Sequence, residues 1–283
     1  MSLDSPSGAQ SPSDVPAGAS LERDLLQQVA DIGRRFRRAA LASSLSVEDM
    51  VITHAIVATD APIDVFVIDT GRLHAETLAL VEQLRARYGS NGSGLSLIML
   101  QPDPAAVAQY VGQHGLNAFY DSVELRHRCC HIRKVEPLER ALAGRDAWLT
   151  GQRRAHGPER AHLPTHELDA ARGIPKFNPL ALWPDEALWR YAHRHHVPVN
   201  PLHARGYPSI GCEPCTRAIK PGEPMRAGRW WWENDGGKKE CGLHVAPVQA
   251  AGDAAAAAAP RRPIDGYVAQ LSRLLASDPM GGC

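Results

Sequence analysis

Between residues 39 and 150 short apolar runs alternate with stretches of helical period, and this rhythm restricts the fold more than any other feature of the chain. ALASSL, IDVFVID, LSLIML and DAWLT are strand-like runs, separated by EDMVITHAIVAT, AETLALVEQLRARYG and PAAVAQYVGQHG, whose apolar residues recur at helical spacing. Runs that are apolar throughout belong to strands covered on both sides. The expectation is therefore an α/β fold: a mostly parallel twisted sheet with helices on both faces, and ligands bound at the carboxyl ends of its strands. The apolar fraction of 44% is enough for such a core. Leu21, Leu25, Val29, Ile32 and Phe36 predict a preceding amphipathic helix over 21–38.

Beyond residue 150 Gly and Pro become frequent. GQRRAHGPERAHLP reads as a basic loop, and ALWPDEALWRYAHRHHVP as one more helix between Pro184 and Pro198. Residues 199–244 read as irregular. An Ala-rich linker and a short helix-like tail follow over 245–283. The first twenty residues are rich in Ser, Pro, Gly and Ala and lack the order of a secretory signal, which predicts a disordered leader and a cytoplasmic protein. With 31 basic and 31 acidic residues the net charge is zero, so no nucleic-acid or membrane-surface partner is expected and any basic site must be local. No apolar run reaches the length of a membrane-spanning helix.

Six cysteines stand in an uneven pattern. Cys129 and Cys130 are adjacent, Cys212 and Cys215 form a C-x-x-C, and Cys241 and Cys283 stand apart. A C-x-x-C turn brings two thiolates to one metal centre, and four thiolates complete a set. Adjacent cysteines point apart on a helix or strand and meet a common centre only through local distortion. Spacing alone leaves a zinc ion and an iron–sulfur cluster both open.

Other motifs fall at the carboxyl edge of the expected sheet. SSLSVEDM offers hydroxyls of Ser43, Ser44 and Ser46 and free amides at a helix start, which suits an anion; it equally suits an N-cap by Ser46 with Glu48 and Asp49 in the first turn. IDTGRLH puts Asp69, Thr70, Gly71 and Arg72 after the second strand, and TGQRR puts Gly151, Gln152, Arg153 and Arg154 after a later one. Near the end, KKECGLH sets Cys241 among Lys238, Lys239 and His244, cations that favour a thiolate.

Taken together, SSLSVEDMV, IDTGRLH, CCHIRKVEPL, TGQRR, KFNPLALW, NPLHARGYPSIGCEPCTR, GRWWW and KKECGLH resemble, in order, the assimilatory adenylyl-sulfate reductases, the iron–sulfur branch of the sulfonucleotide reductase family. The resemblance implies an adenine nucleotide alpha hydrolase-like sheet over 21–244 with irregular cluster-binding and C-terminal segments, the last of them a mobile catalytic segment over about 226–244. It implies a [4Fe-4S] cluster on Cys129, Cys130, Cys212 and Cys215. It implies Cys241 as the nucleophile, forming an S-sulfocysteine, and a thioredoxin or glutaredoxin-like dithiol as electron donor. Contacts to the sulfonucleotide are implied for Ser44, Ser46, Asp69, Thr70, Gly71, Arg72, Lys134, Gly151, Arg160, Arg226, Arg229 and His244. Assembly into a homo-oligomer is left open. So are action on the 3′-phosphorylated nucleotide and nucleotide-dependent sulfur transfer on the same fold. A non-enzymatic metal-bearing scaffold is the remaining rival. ATP-splitting relatives of this fold carry glycines in the serine loop, and this chain has none there. The chain departs from the family in the roughly forty residues that follow KKECGLH, a motif that would ordinarily lie close to the C-terminus.

Overall fold

In the computed structural model residues 17–89 and 94–233 are described. A helix α1 (Ala17–Arg35) leads into β1 (Ala39–Ser43), α2 (Val47–Ala58), β2 (Asp64–Ile68), α3 (Ala75–Leu84), β3 (Leu97–Leu100) and α4 (Pro104–His114). The chain continues through α5 (Val123–Cys130), α6 (Glu136–Leu142), β4 (Ala147–Thr150), β5 (His166–Asp169), β6 (Ile174–Phe177) and α7 (Asp185–Arg194). α1 begins inside the segment expected to be a leader. The strands line up as β3-β2-β1-β4-β6-β5, parallel except for β5, which runs antiparallel to β6. No helix among the described residues is long and apolar enough to cross a membrane.

Strand pleating explains why the core has two sides. Ala39 and Leu41, Val65 and Val67, and Ala147 and Leu149 face one layer, packed with Leu25, Val29 and Ile32 of α1, Met50, Val51 and Ile52 of α2, and Leu188 and Tyr191 of α7. Ala40, Phe66 and Trp148 face the other, against Leu138 and Leu142 of α6. Both faces are dry, so the strands read as unbroken apolar runs instead of alternating ones. Each buried Leu or Val contributes roughly 1.5–3 kcal/mol by leaving water.

Local signals set several helix ends. Asp103 caps α4, its Oδ1 accepting from the Ala105 amide at 2.9 Å, with Pro104 in the first turn and Gly115 at φ 94° after the last. α3 and α5 each run into a π-helical turn, Arg85–Gly89 and His131–Val135 respectively, and the second passes straight into α6.

The hairpin of β5 and β6 was not expected, because HELD and IPKF are only four residues each, HELD is mostly polar and Pro175 interrupts IPKF. It is held by pairs such as Glu167 with Lys176, whose side chains also form an ion pair at 2.9 Å. Of the region expected to be irregular, the described residues 199–233 are so: they hold short 3-10 turns, one of them Glu213–Cys215, and isolated bridges.

Candidate functional site

The chain adds β1, β2 and β3 outward in one direction and then β4 on the other side of β1. This reversal leaves a crevice at the carboxyl ends of β1 and β4, the usual ligand position in open parallel sheets. A large cavity occupies it, lined among others by Ser44, Ser46, Thr70, Lys134, Gly151, Arg160, Arg226 and Arg229.

The serine loop turns from β1 into α2 with Leu45 at φ 61°, a left-handed conformation ordinarily left to glycine. Leu45 is fully buried, and its amide donates to Ser43 Oγ at 3.1 Å. Ser44 donates to Asp49 Oδ2 through both its amide and its hydroxyl, each at 2.7 Å. Ser46 occupies the N-cap position of α2, yet its side chain caps no amide; its hydroxyl pairs with that of Ser44 at 2.8 Å instead. The capping role open to Ser46 in the sequence is thus not the one it plays.

The two acids that open α2 are buried and differ sharply. Burial raises the Asp49 carboxyl to about 7; the Ser44 donors oppose this, and the charge of Glu48 adds to it. Burial acts on Glu48 as well, but His156 and Arg153 outweigh it and hold the carboxyl near 2. Gly151 lets β4 end against these acids, for a Cβ there would lie 2.3 Å from Asp49 Oδ1 and 2.8 Å from Glu48 Cβ.

Glu48 anchors a network that crosses the cavity wall. Its Oε1 accepts from Arg153 Nε at 3.0 Å, Arg153 Nη2 at 2.9 Å and His156 Nε2 at 2.9 Å. On its far side His156 Nδ1 lies 2.9 Å from Arg160 Nη1. Sequence reasoning put Arg153 at this edge but passed over His156, which it left inside a basic loop. The signal was the spacing of His156 and Arg160, four residues apart across Gly157.

A second, smaller cavity adjoins the first. Cys129, Cys130, Cys212 and Cys215 all line it, with Arg72, Phe119, Arg126, Arg133, Lys134 and Pro214. Lys134 and Cys212 line both cavities. The adjacent cysteines sit where α5 opens into the π-helical turn, the local distortion that neighbouring cysteines need. Cys212 is fixed by an isolated bridge to Leu73, and Thr70 Oγ1 lies 3.3 Å from its sulfur. Burial raises the Cys215 thiol to about 12. At Cys212 burial acts in the same direction, but Lys134, Thr70 and Arg229 overcome it and hold the thiol below its ordinary value.

Among the described residues no three His, Cys, Asp or Glu side chains close on one point. Four thiols on the lining of one cavity are nonetheless the donor type that soft metal centres take. Four thiolates bring negative charge, and Arg72, Arg126, Arg133 and Lys134 in the same lining are suited to balance it. The donor set therefore fits an iron–sulfur group.

The IDTG segment divides between the cavities. Thr70 lines the larger one, and its carbonyl accepts from Arg133 Nη1 at 2.6 Å. Asp69 turns back on its own segment, accepting from the Gly71 amide at 2.9 Å. Gly71 takes φ 69° and is exposed. Arg72 reaches the cysteine cavity and donates to Leu116 O and Asn117 Oδ1. Residues 226–233, expected to open the mobile segment, pack here: Trp230 is buried between the guanidinium groups of Arg126 and Arg229, each 4.7 Å from its ring, and Arg126 donates to both carboxylate oxygens of Glu233. Cys241, His244, Cys283 and the 245–283 segment lie outside the described residues.

The profile described as phosphoadenosine phosphosulfate reductase domain matches residues 38–218, which hold the sheet, the serine loop and all four clustered cysteines. The chain belongs to that family. Within the phosphoadenosine phosphosulfate reductase family it is 56% identical over 232 residues to the adenosine 5′-phosphosulfate reductase of Burkholderia cepacia, covering 81% of this chain and 90% of that one. It is 50% identical over 230 residues to the adenosine 5′-phosphosulfate reductase of Allochromatium vinosum, covering 81% and 86%. Among solved structures, the phosphoadenylyl-sulfate reductase of Candida auris, crystallised as a phosphate complex, superposes with a TM-score of 0.55 at 26% identity, over 75% of this chain and all of that one.

Proposed function

We propose that the chain is an adenylyl-sulfate reductase of sulfate assimilation, reducing adenosine 5′-phosphosulfate to sulfite and AMP with electrons from a thioredoxin or glutaredoxin-like dithiol. The observation that carries this reading is the shared wall: a cation-lined crevice at the sheet switch point that has Lys134 and Cys212 in common with the four-thiol cavity. Relatives at 50–56% identity bearing the 5′-phosphosulfate name support that substrate over its 3′-phosphorylated form. A cytoplasmic setting agrees with an assimilatory role and a thiol donor.

In this reading the serine loop and Gly151 receive the nucleotide, while Lys134, Arg160, Arg226 and Arg229 neutralise the phosphosulfate. Asp69, Gly71 and Arg72 support the segment that presents Thr70. Cys241, as thiolate, attacks the sulfate sulfur; the sulfur–oxygen bond to phosphate breaks, AMP leaves with the electron pair, and Cys241 carries an S-sulfo group. His244 contacts the phosphosulfate. A thiolate of the donor then attacks Cys241 Sγ and expels sulfite with its electron pair. The donor's second thiol resolves the mixed disulfide, so the donor ends oxidised and Cys241 returns as a thiol. Cys129, Cys130, Cys212 and Cys215 would hold a [4Fe-4S] cluster, which supplies a fixed charge and a structural tie beside Lys134.

The test is to incubate anaerobically purified protein with sulfur-labelled adenylyl sulfate and map the label. Label on Cys241, absent in Cys241→Ser and released as sulfite by a dithiol protein, is the expected result. Wild-type protein that takes up no label sinks the reading.

A further inference from the structure

We infer that Gly211 is a positioning residue: by carrying no side chain it leaves the space in which the Arg229 guanidinium is seated in the wall of the nucleotide cavity. The inference rests on the sulfonucleotide reading, and both Gly211 and Arg229 line that cavity.

Backbone conformation does not account for a glycine at 211. Gly211 is not among the glycines with positive φ, so its backbone is open to a residue with a side chain. What excludes a side chain is Arg229. A Cβ at 211 would lie 2.6 Å from Arg229 Cζ, nearer still to Nη2 and 3.1 Å from Nε, and these three nearest atoms all belong to the one guanidinium. Gly228 differs: a Cβ there would meet first the carbonyl oxygen of Arg217, so that glycine serves the approach of two backbones.

The partners of the guanidinium are neutral. Its Nη1 donates to Ser209 Oγ and to Ile210 O, each at 3.3 Å, and its Cζ lies 4.7 Å from the centre of the Trp230 ring. Ser209, Ile210 and Gly211 thus seat one cation together, two by accepting from it and the third by staying out of its way. The backbones on both sides are tied to Thr216, which forms a bridge with Arg229 and accepts from the Gly211 amide at 3.1 Å through its hydroxyl. An added methyl group would therefore be met by movement of the Arg229 side chain. Non-bonded carbon atoms need roughly 3.5–4.0 Å between them, so Cζ would shift by on the order of 1 Å. A displacement of that size in a group that positions substrate is enough to cost an order of magnitude or more.

The test is a double-mutant cycle in the full-length enzyme after anaerobic loading with iron and sulfide, read as KM and kcat for adenylyl sulfate, bound iron and melting curves. Gly211→Ala should raise KM about tenfold or more, with kcat altered less than about threefold and bound iron equal to that of wild type. On an Arg229→Ala background the guanidinium is gone, and Gly211→Ala should raise KM less than about twofold further. Should Gly211→Ala alone fail to fold or to take up iron, the paired variant Gly211→Ala, Arg229→Ala decides: it should fold and load iron as Arg229→Ala does. A paired variant that fails as well, an unchanged KM in Gly211→Ala, or an equal cost with and without Arg229 overturns the role assigned to Gly211. Wild-type protein that neither binds nor turns over adenylyl sulfate overturns instead the reading on which it rests.

Discussion

At the scale of single residues, the site turns on two neighbouring acids with opposite environments. Glu48 is held near 2 and Asp49 is raised to about 7, although both are buried at the same helix start. Glu48 has Arg153 and His156 for partners, whereas the donors to Asp49 are neutral groups of Ser44 and the Ser46 backbone. Because the folded state holds the Asp49 proton from an ordinary value of 3.8 up to about 7, Asp49 binds more protons folded than unfolded in that window, and its contribution to stability is lost as pH rises through it. Asp49→Asn has nothing to titrate and still accepts from Ser44. Its thermal advantage over wild type should therefore grow by on the order of 3 kcal/mol between pH 5 and pH 8. Melting curves at the two pH values decide it: equal differences would mean that Asp49 is ionised throughout. The serine loop was legible in the sequence as an anion-ready helix start, but the duties of its residues were not. Asp49 packs close against Gly151, a hundred positions away, so the environment that sets its proton affinity is tertiary. His156 was missed for the same reason, since its meaning lies in Glu48.

The elements show how a pair of adjacent cysteines comes to serve one cavity. From Val123 to Leu142 the chain is one continuous helical run, widened at His131–Val135 into a π turn. The extra residue of that turn changes the phase between Cys129 and Cys130 on one side and Arg133 and Lys134 on the other. All four line the cysteine cavity, and Lys134 reaches the larger one as well. Deleting the exposed His131 should restore an ordinary helix and turn the cysteines by about 100° relative to the rest of the run. After anaerobic reconstitution with iron and sulfide, the deletion variant should keep its far-ultraviolet helicity but bind well under half the iron of wild type. Full iron loading would show that the π turn is irrelevant to the thiol set. The first four strands and α2, α3 and α4 were legible because dry parallel strands leave long apolar runs, whereas α5 and α6, between β3 and β4, were not read as elements. The β5–β6 hairpin was not, since two four-residue strands, one mostly polar and one interrupted by proline, are too short to show a periodicity. Pro175 argues against a strand, and it is tolerated because it lies one position before the ladder to β4 begins at Lys176.

Over the whole molecule, charge is distributed where composition gives no hint of it. The chain is neutral overall, with 31 basic and 31 acidic residues, yet four cations converge on the crevice where strand order reverses. That placement argues for attraction of a small anion over short range and against general affinity for polyanions. Lys134 and Arg229 are buried, so their direct contacts with a phosphosulfate are screened weakly by salt. The approach of the anion is screened fully once the Debye length falls from roughly 20 Å at low salt to about 4 Å near 0.5 M. The net effect should be moderate: KM for adenylyl sulfate rising about three- to tenfold between 20 mM and 500 mM sodium chloride, with kcat nearly constant because the bound complex is shielded. The increase should shrink in Arg226→Gln, which removes one of the less buried cations of the crevice. A KM indifferent to salt, in a chain otherwise active, would mean that the anion enters by a face these cations do not govern.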